Sequence, residues 1–176
     1  CLAHLLPHRL GIVKIFANRS RMRYDFAMLK IELAYLAGVM DSDGSFSIGV
    51  DQWRVRNLKI SPGYEERIAL SHNKPEAVNL CQKLFGGSIG IQKPRGISRH
   101  PLYRWQVSNR KAADAARVLL PYLRLKRDAA QFLLDLRAIK DRGRKANTDP
   151  GGPRIRVRSA ETTAKMQRLA AQIREF

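Results

Sequence analysis

Acids are scarce in this chain: 15 Asp plus Glu stand against 33 Lys plus Arg, a formal charge of +18. An excess of one sign repels itself, so a polyanionic partner is needed to offset it, and nucleic acid is the first candidate. A membrane surface ranks well below it, because no uninterrupted apolar run approaches the roughly 20 residues of a transmembrane helix. Cysteine is nearly missing too, with only Cys1 and Cys81. Two thiols exclude a disulfide framework and fit a reducing intracellular compartment, leaving bacterial, archaeal and organellar hosts all open. Zinc-type spacing is lacking: His4 and His8 lie four apart, but Pro7 stands between them and no second pair follows. There is no internal repeat, and 176 residues suffice for one core of ordinary size, not two.

What is present is concentrated in Leu36-Ala37-Gly38-Val39-Met40-Asp41-Ser42-Asp43-Gly44. Ile31, Leu33, Ala34, Tyr35 and Leu36 lead in with a helical apolar pattern, and Asp-Ser-Asp-Gly supplies the chemistry of a break. Ala34, Ala37, Gly38 and Asp41 recur at spacings of three and four, which predicts a small-residue face open to close approach by another backbone. After Gly44 the period becomes two: Phe46, Ile48 and Val50 alternate with Ser47, Gly49 and Asp51, as in a half-buried strand.

Residues 1–24 hold no acid and carry Arg9, Lys14, Arg19, Arg21 and Arg23, a composition shared by organellar transit peptides and by basic arms of nucleic-acid binders. The basic run 54–60, with Arg54, Arg56 and Lys59, leads through Ser61-Pro62-Gly63 into a second strand over Arg67-Ile68-Ala69-Leu70-Ser71, so the pair reads as a long hairpin. Asn73 is expected to cap a helix with Pro75 in its first turn and Ala77, Val78, Cys81, Leu84 and Phe85 inward, ended by Gly86-Gly87. Ile89 and Ile91 open a third strand, Lys93-Pro94-Arg95-Gly96 breaks it, and Tyr103, Trp105 and Val107 alternate with Arg104, Gln106 and Ser108 in a fourth. Arg104 and Gln106, two apart on one strand face, are the side-chain types that read guanine and adenine edges in a major groove. Two helices follow, the first capped by Asn109 with Ala113, Ala116, Val118, Leu119 and Leu120 inward, the second carrying Ala129, Phe132, Leu136 and Ile139. The basic stretch 142–158, including Arg142, Arg144 and Lys145, reads as a linker punctuated by Gly and Pro. Ser159 then caps a final helix faced by Met166, Leu169, Ala170 and Ile173.

A helix with a small face, a carboxylate turn and an alternating strand resembles the LAGLIDADG homing endonuclease family, whose signature LAGVMDSDG matches at six of nine positions. The resemblance implies an α+β fold, αββαββα in order, with a curved antiparallel sheet lying on double-stranded DNA and helices behind it. It frames 30–141 as the core domain, after a basic arm or extension at 1–29 and before the linker and the helix 159–176. One signature per chain implies a homodimer with Ala34, Ala37 and Gly38 at its interface. The implied activity is a site-specific double-strand break in a long pseudo-palindromic target, the step behind intron homing, with a divalent cation, foremost Mg²⁺. Alternatives on the same fold are an intron RNA maturase and a non-cleaving DNA-binding regulator.

Residue by residue, Asp43 matches the family's metal-binding acid. The Ser42 carbonyl is implied as a further ligand, and Asp41 stands at the helix end beside the metal. Lys126, in Pro121-Tyr122-Leu123-Arg124-Leu125-Lys126, matches the lysine near the scissile phosphate, with Arg124 as runner-up; a loop lysine there is expected to contribute little to folding. The water-positioning place falls at His72 or Asn73. The basic residue some relatives carry one turn later is replaced here by Glu76 or Ala77. Arg54, Arg56, Lys59, Arg67, Lys93, Arg95, Arg104, Gln106, Arg142, Arg144 and Lys145 are the expected DNA contacts.

Overall fold

The computed structural model describes residues 19–51, 54–55, 58–59, 62–94, 100–145 and 159–175. Two compact units divide the chain, Cys1–Ile31 and Glu32–Phe176. In the first, the described residues are helical; the second carries the sheet and the site.

The elements are α1 (Arg19–Asp43), β1 (Gly44–Asp51), β2 (Arg54–Val55), β3 (Leu58–Lys59), β4 (Gly63–His72), α2 (Pro75–Phe85), β5 (Ser88–Gln92), β6 (Leu102–Ser108), α3 (Asn109–Leu119), α4 (Arg127–Lys145) and α5 (Ala160–Gln172). Read without the small β2–β3 pair, α1 to α3 run in the expected αββαββα order. β1, β4, β6 and β5 form one antiparallel sheet in that spatial order. The hairpin is longer than the residue pattern implied: β4 begins at Gly63, opposite Asp51, because Tyr64 and Glu66 extend the inward phase beyond Ile68.

Strand alternation sorts the two faces. Phe46 and Ile48 of β1, Tyr64, Ile68 and Leu70 of β4, and Trp105 and Val107 of β6 are buried beneath the helices. Leu33, Leu36, Ala37 and Met40 of α1, Ala77, Val78 and Cys81 of α2, and Leu133 and Leu136 of α4 complete the core with the alanines of α3. On the inward side of α3, Ala112 and Ala115 are buried while Val118 and Leu120 are half-buried. Small side chains let that helix sit close. The same happens on α4, where Ala130 and Leu133 are buried and Phe132 and Ile139 are half-buried.

Two expected caps are corrected. Lys74, not Asn73, occupies the N-cap of α2, and no side chain caps it. Ser108 occupies the N-cap of α3, also without a side-chain capping bond; Asn109 is the first helical residue at φ 57° and turns its amide toward the sheet. Asn tolerates this left-handed region better than most side chains. Ser159 does cap α5, its hydroxyl accepting from the Thr162 N–H at 3.2 Å. α1 starts at Arg19, within the expected basic arm or extension, and α4 runs through Arg142 and Arg144 to Lys145, into the stretch expected as a linker. The Gly86-Gly87 stop matches expectation, with φ 69° and 93°, and Trp105 locks it by donating from Nε1 to the Gly86 carbonyl at 2.7 Å. No helix among the described residues is long and apolar enough to cross a membrane.

Candidate active site and nucleic-acid interface

The signature helix ends at Asp43 and β1 begins at the next residue, so a helix becomes a strand with no intervening loop. Gly44 makes this possible: a Cβ there would lie 2.7 Å from both the carbonyl oxygen and the sulfur of Met40. A side chain at this position would collide with the last helical turn, so the motif's final glycine is a packing requirement.

The abrupt end leaves helical carbonyls needing donors. Lys126, in the turn before α4, supplies them: its Nζ donates to Gly44 O at 2.6 Å, Met40 O at 3.0 Å and Ser42 O at 3.2 Å. A cation at a helix C-terminus also complements the macrodipole. Asp41 completes the clasp from the other side, its carboxylate accepting the backbone N–H of Arg124 at 2.8 Å and of Lys126 at 3.0 Å. Burial pushes the Asp41 carboxyl up, but the N–H groups of Arg124, Lys126 and Leu125, with the Lys126 charge, outweigh it and hold the group below the usual carboxylate range.

These contacts bear on two assignments. Asp41, expected at the helix end beside the metal, also latches the 124–126 turn through both of its oxygens. Lys126 is a structural residue whatever else it does, because three carbonyls share its ammonium. Lys126→Met should therefore lower folding stability by about 2 kcal/mol, the order expected for hydrogen bonds to a charged donor. A urea midpoint equal to wild type would return Lys126 to the role of a solvated loop lysine. Asp41 gives a pH test. Its folded value lies below its unfolded one, so the stability it adds is complete above the ordinary carboxylate value of about 4 and is lost as the pH falls through the folded value. The wild-type thermal midpoint should fall more steeply below about pH 4 than that of Asp41→Asn; parallel curves would refute the latch.

Asp43 is differently placed. Its carboxylate is half-exposed and faces the His72 ring, with Nε2 4.0 Å from Oδ2. His72, the last residue of β4, has its Nδ1 3.1 Å from the donating N–H of Lys74 and 3.2 Å from the Lys74 carbonyl. In the tautomer whose Nδ1 accepts this N–H, the ring proton sits on Nε2, toward Asp43. Asn73 is exposed in the bend that follows. Asp43, His72, Ser42 and Lys126 are thus brought to one end of the sheet, although 82 residues separate Gly44 from Lys126. The carboxylate of Asp43 and the carbonyl of Ser42 are hard oxygen donors of the kind Mg²⁺ takes. Among the described residues there is no group of three or more His, Cys, Asp or Glu that could hold a metal ion.

The open face of the sheet is polar and floored by small residues: Ser45, Ser47 and Gly49 on β1, Ala69 and Ser71 on β4, and Ser88 and Gly90 on β5. Above this floor stand Arg104 and Gln106 of β6, both exposed, with Gln106 paired across to Ala69 and Ser88. Lys93 is exposed beyond β5, and Arg142 is exposed near the end of α4. Arg54 and Lys59 are paired in backbone register in the β2–β3 ladder, and Arg144 and Lys145 close α4. Arg56 and Arg95 lie outside the described residues. Arg67 is on the open face but not free: Glu65 binds it.

At the expected interface helix, Ala34 and Gly38 are exposed beside Tyr35, whereas Ala37 is fully buried in the chain's own core. Spacing alone grouped the three, but the helix turns Ala37 inward with Leu33, Leu36 and Met40. A buried set that the sequence reading missed lies behind the sheet. Glu66, on the inward phase of β4, accepts from Arg137 at 2.8 Å and from Lys140 at 2.7 Å, and Lys140 also donates to the Tyr64 carbonyl at 2.9 Å. The available signal was the break in apolar alternation at Glu66 between Tyr64 and Ile68.

This element order, the antiparallel sheet with one open polar face, and a signature helix ending in two carboxylates define the fold of the LAGLIDADG homing endonucleases. No known family profile matches the sequence, and no characterised protein matches it by sequence. Solved structures do. The archaeal intron-encoded homing endonuclease I-Vdi141I, complexed with DNA, superposes with a TM-score of 0.60 at 13% identity, covering 84% of this chain and 84% of that one. I-CeuI, a group I intron-encoded homing endonuclease complexed with DNA, gives 0.59 at 14% identity, over 89% and 77%. I-CvuI in complex with its target in the presence of calcium gives 0.51 at 18%, over 80% and 95%.

Proposed function

We propose that this chain is a site-specific DNA endonuclease that works as a homodimer and cuts both strands of a long, nearly palindromic duplex with a divalent cation, foremost Mg²⁺. The observation that carries this reading is Asp43: a half-exposed carboxylate at the foot of the signature helix, facing His72, at the end of an open polar sheet face in a chain of charge +18. Its match to DNA-bound homing endonucleases of the same fold supports the substrate class. The calcium present with I-CvuI supports an oxygen-binding divalent cation.

Asp43 and the Ser42 carbonyl would hold the cation, with the second copy's equivalents completing the donor set. When bound, the cation supplies charge neutralisation at the phosphate and a more acidic water. His72 orients water through Nε2–H, the end of the ring left free by the Lys74 contact. Lys126 keeps the Asp43 backbone in register through the carbonyls on either side of it. Incubation of the purified protein with a randomised duplex library and Mg²⁺, followed by sequencing of cut ends, tests the reading. Ends clustered in one site with dyad symmetry support it. Enrichment by binding with no cut ends would favour the regulator or maturase alternatives.

A further inference from the structure

Two acids sit on the sheet face that the proposed function presents to DNA. Glu65 and Arg67 lie two apart on the open side of β4, with Glu66 between them turned inward. The pairing sets Gly49 opposite Glu65, and Ser47 and Ser108 on either side of Arg67. The Arg67 guanidinium lies across β1 over this patch. A Cβ on Gly49 would fall 2.6 Å from the Arg67 Cζ and 2.7 Å from its Nε.

Glu65 fixes the group there. Arg67 donates from Nε at 2.8 Å and stands with Nη2 at 2.7 Å from the same oxygen, Oε2, while Asp51 Oδ1 is 3.9 Å from Nη2. The other carboxylate oxygen, Oε1, accepts from Asn109 Nδ2 at 2.7 Å, and the Ser108 hydroxyl also bonds to Glu65. Burial pushes the Glu65 carboxyl up, but these bonds from Arg67, Ser108 and Asn109 and the Arg67 charge hold it lower than usual, so it is ionised at neutral pH. The carboxylate is anchored from two elements before it touches the arginine. The Arg67 side chain as a whole stays half-exposed.

An arginine flanked by two carboxylates is a weak phosphate clamp, because its charge is already balanced. Fixed in plane, with one edge tied back, it suits a directional acceptor pair, and guanine O6 and N7 form that pair in a major groove. We infer that Arg67 is a preset guanine reader whose guanidinium Glu65 positions over the notch left by Gly49, an inference that rests on the sheet's open face being the DNA face.

The test is competitive binding of a randomised duplex library by the full-length protein, followed by titration of the selected site and of copies changed at single positions. Wild type should select guanine at one position in each half-site. Arg67→Lys, which keeps the charge but loses the fork, should lower the ratio of affinities for the guanine duplex and its substituted copies about tenfold at that position alone. Glu65→Gln should lower the same ratio by a smaller factor, and Gly49→Ala should lower it by evicting the guanidinium. A purely structural role for Glu65 would move the melting temperature without moving this ratio. If both Arg67→Lys and Gly49→Ala leave every ratio unchanged, Arg67 is not a base reader and the inference falls, while the DNA reading stands. If wild type binds no duplex at all, the DNA reading itself falls.

Discussion

Asp43→Asn should leave the duplex uncut, with single-turnover cleavage slowed at least about 1000-fold, the roughly 4 kcal/mol that losing a charged metal ligand at a phosphoryl centre costs. Binding should persist. Among the described residues the Asp43 side chain accepts no backbone amide, and His72 faces it at 4.0 Å, so the isosteric amide disturbs neither the helix end nor the sheet. It also removes a negative charge from a surface meant to meet phosphates. The neighbouring acid is the control. Asp41→Asn loosens the clasp on the 124–126 turn and should appear first as lost stability. Cleavage by purified Asp43→Asn at the wild-type rate would remove Asp43 from the reaction, and equal loss of stability in both variants would erase the distinction between them.

Gly38→Val should raise the dimer dissociation constant by about 1000-fold, near 4 kcal/mol, if two signature helices meet backbone to backbone. The structure makes this a clean experiment. Apart from its chain neighbours and its own helix's backbone, a Cβ at Gly38 meets no described atom within 4 Å, so the added bulk points into open space in the single chain, and replacing a helical glycine removes an entropic penalty. Ala37, one residue earlier, is fully buried, and Ala37→Val should instead strain the core and lower the melting temperature. Sedimentation velocity reads the first effect and thermal melting the second. A Gly38→Val protein that remains dimeric would place the twofold contact elsewhere. A monomeric Gly38→Val protein has a further signature: one acid turn per chain can at best nick one strand, and its binding should shrink to a half-site of about one helical turn.

Much of this was legible in the linear sequence because the relevant physics is local. Alternation in Phe46-Ser47-Ile48 sorts two strand faces, Gly86-Gly87 stops a helix, Ser159 caps one, and Asp-Ser-Asp-Gly after a helical run places the acids at its foot. The open face with Arg104 and Gln106 followed from period two alone. Where the sequence reading went astray, the deciding contact lay far along the chain. Asn73 and Asn109 both look like caps, yet neither side chain caps a helix, and Asn109 is taken by Glu65, 44 residues away.

By itself, then, the sequence determined the element order, the faces of the strands, the excess of positive charge and the position of Asp43. Only the tertiary structure decided what those residues do to one another. Lys126 could be solvated or caught by three carbonyls, and Asp41 a free carboxylate or a latch, until the turn before α4 was folded against the end of α1. Ala37 and Gly38 are adjacent and similar in spacing, but the core's packing turns one inward and leaves the other exposed. Periodicity reports which side of an element a residue occupies. It carries no distance to groups 80 residues away, and hydrogen bonds, ion pairs and close packing are set by such distances at the scale of tenths of an ångström.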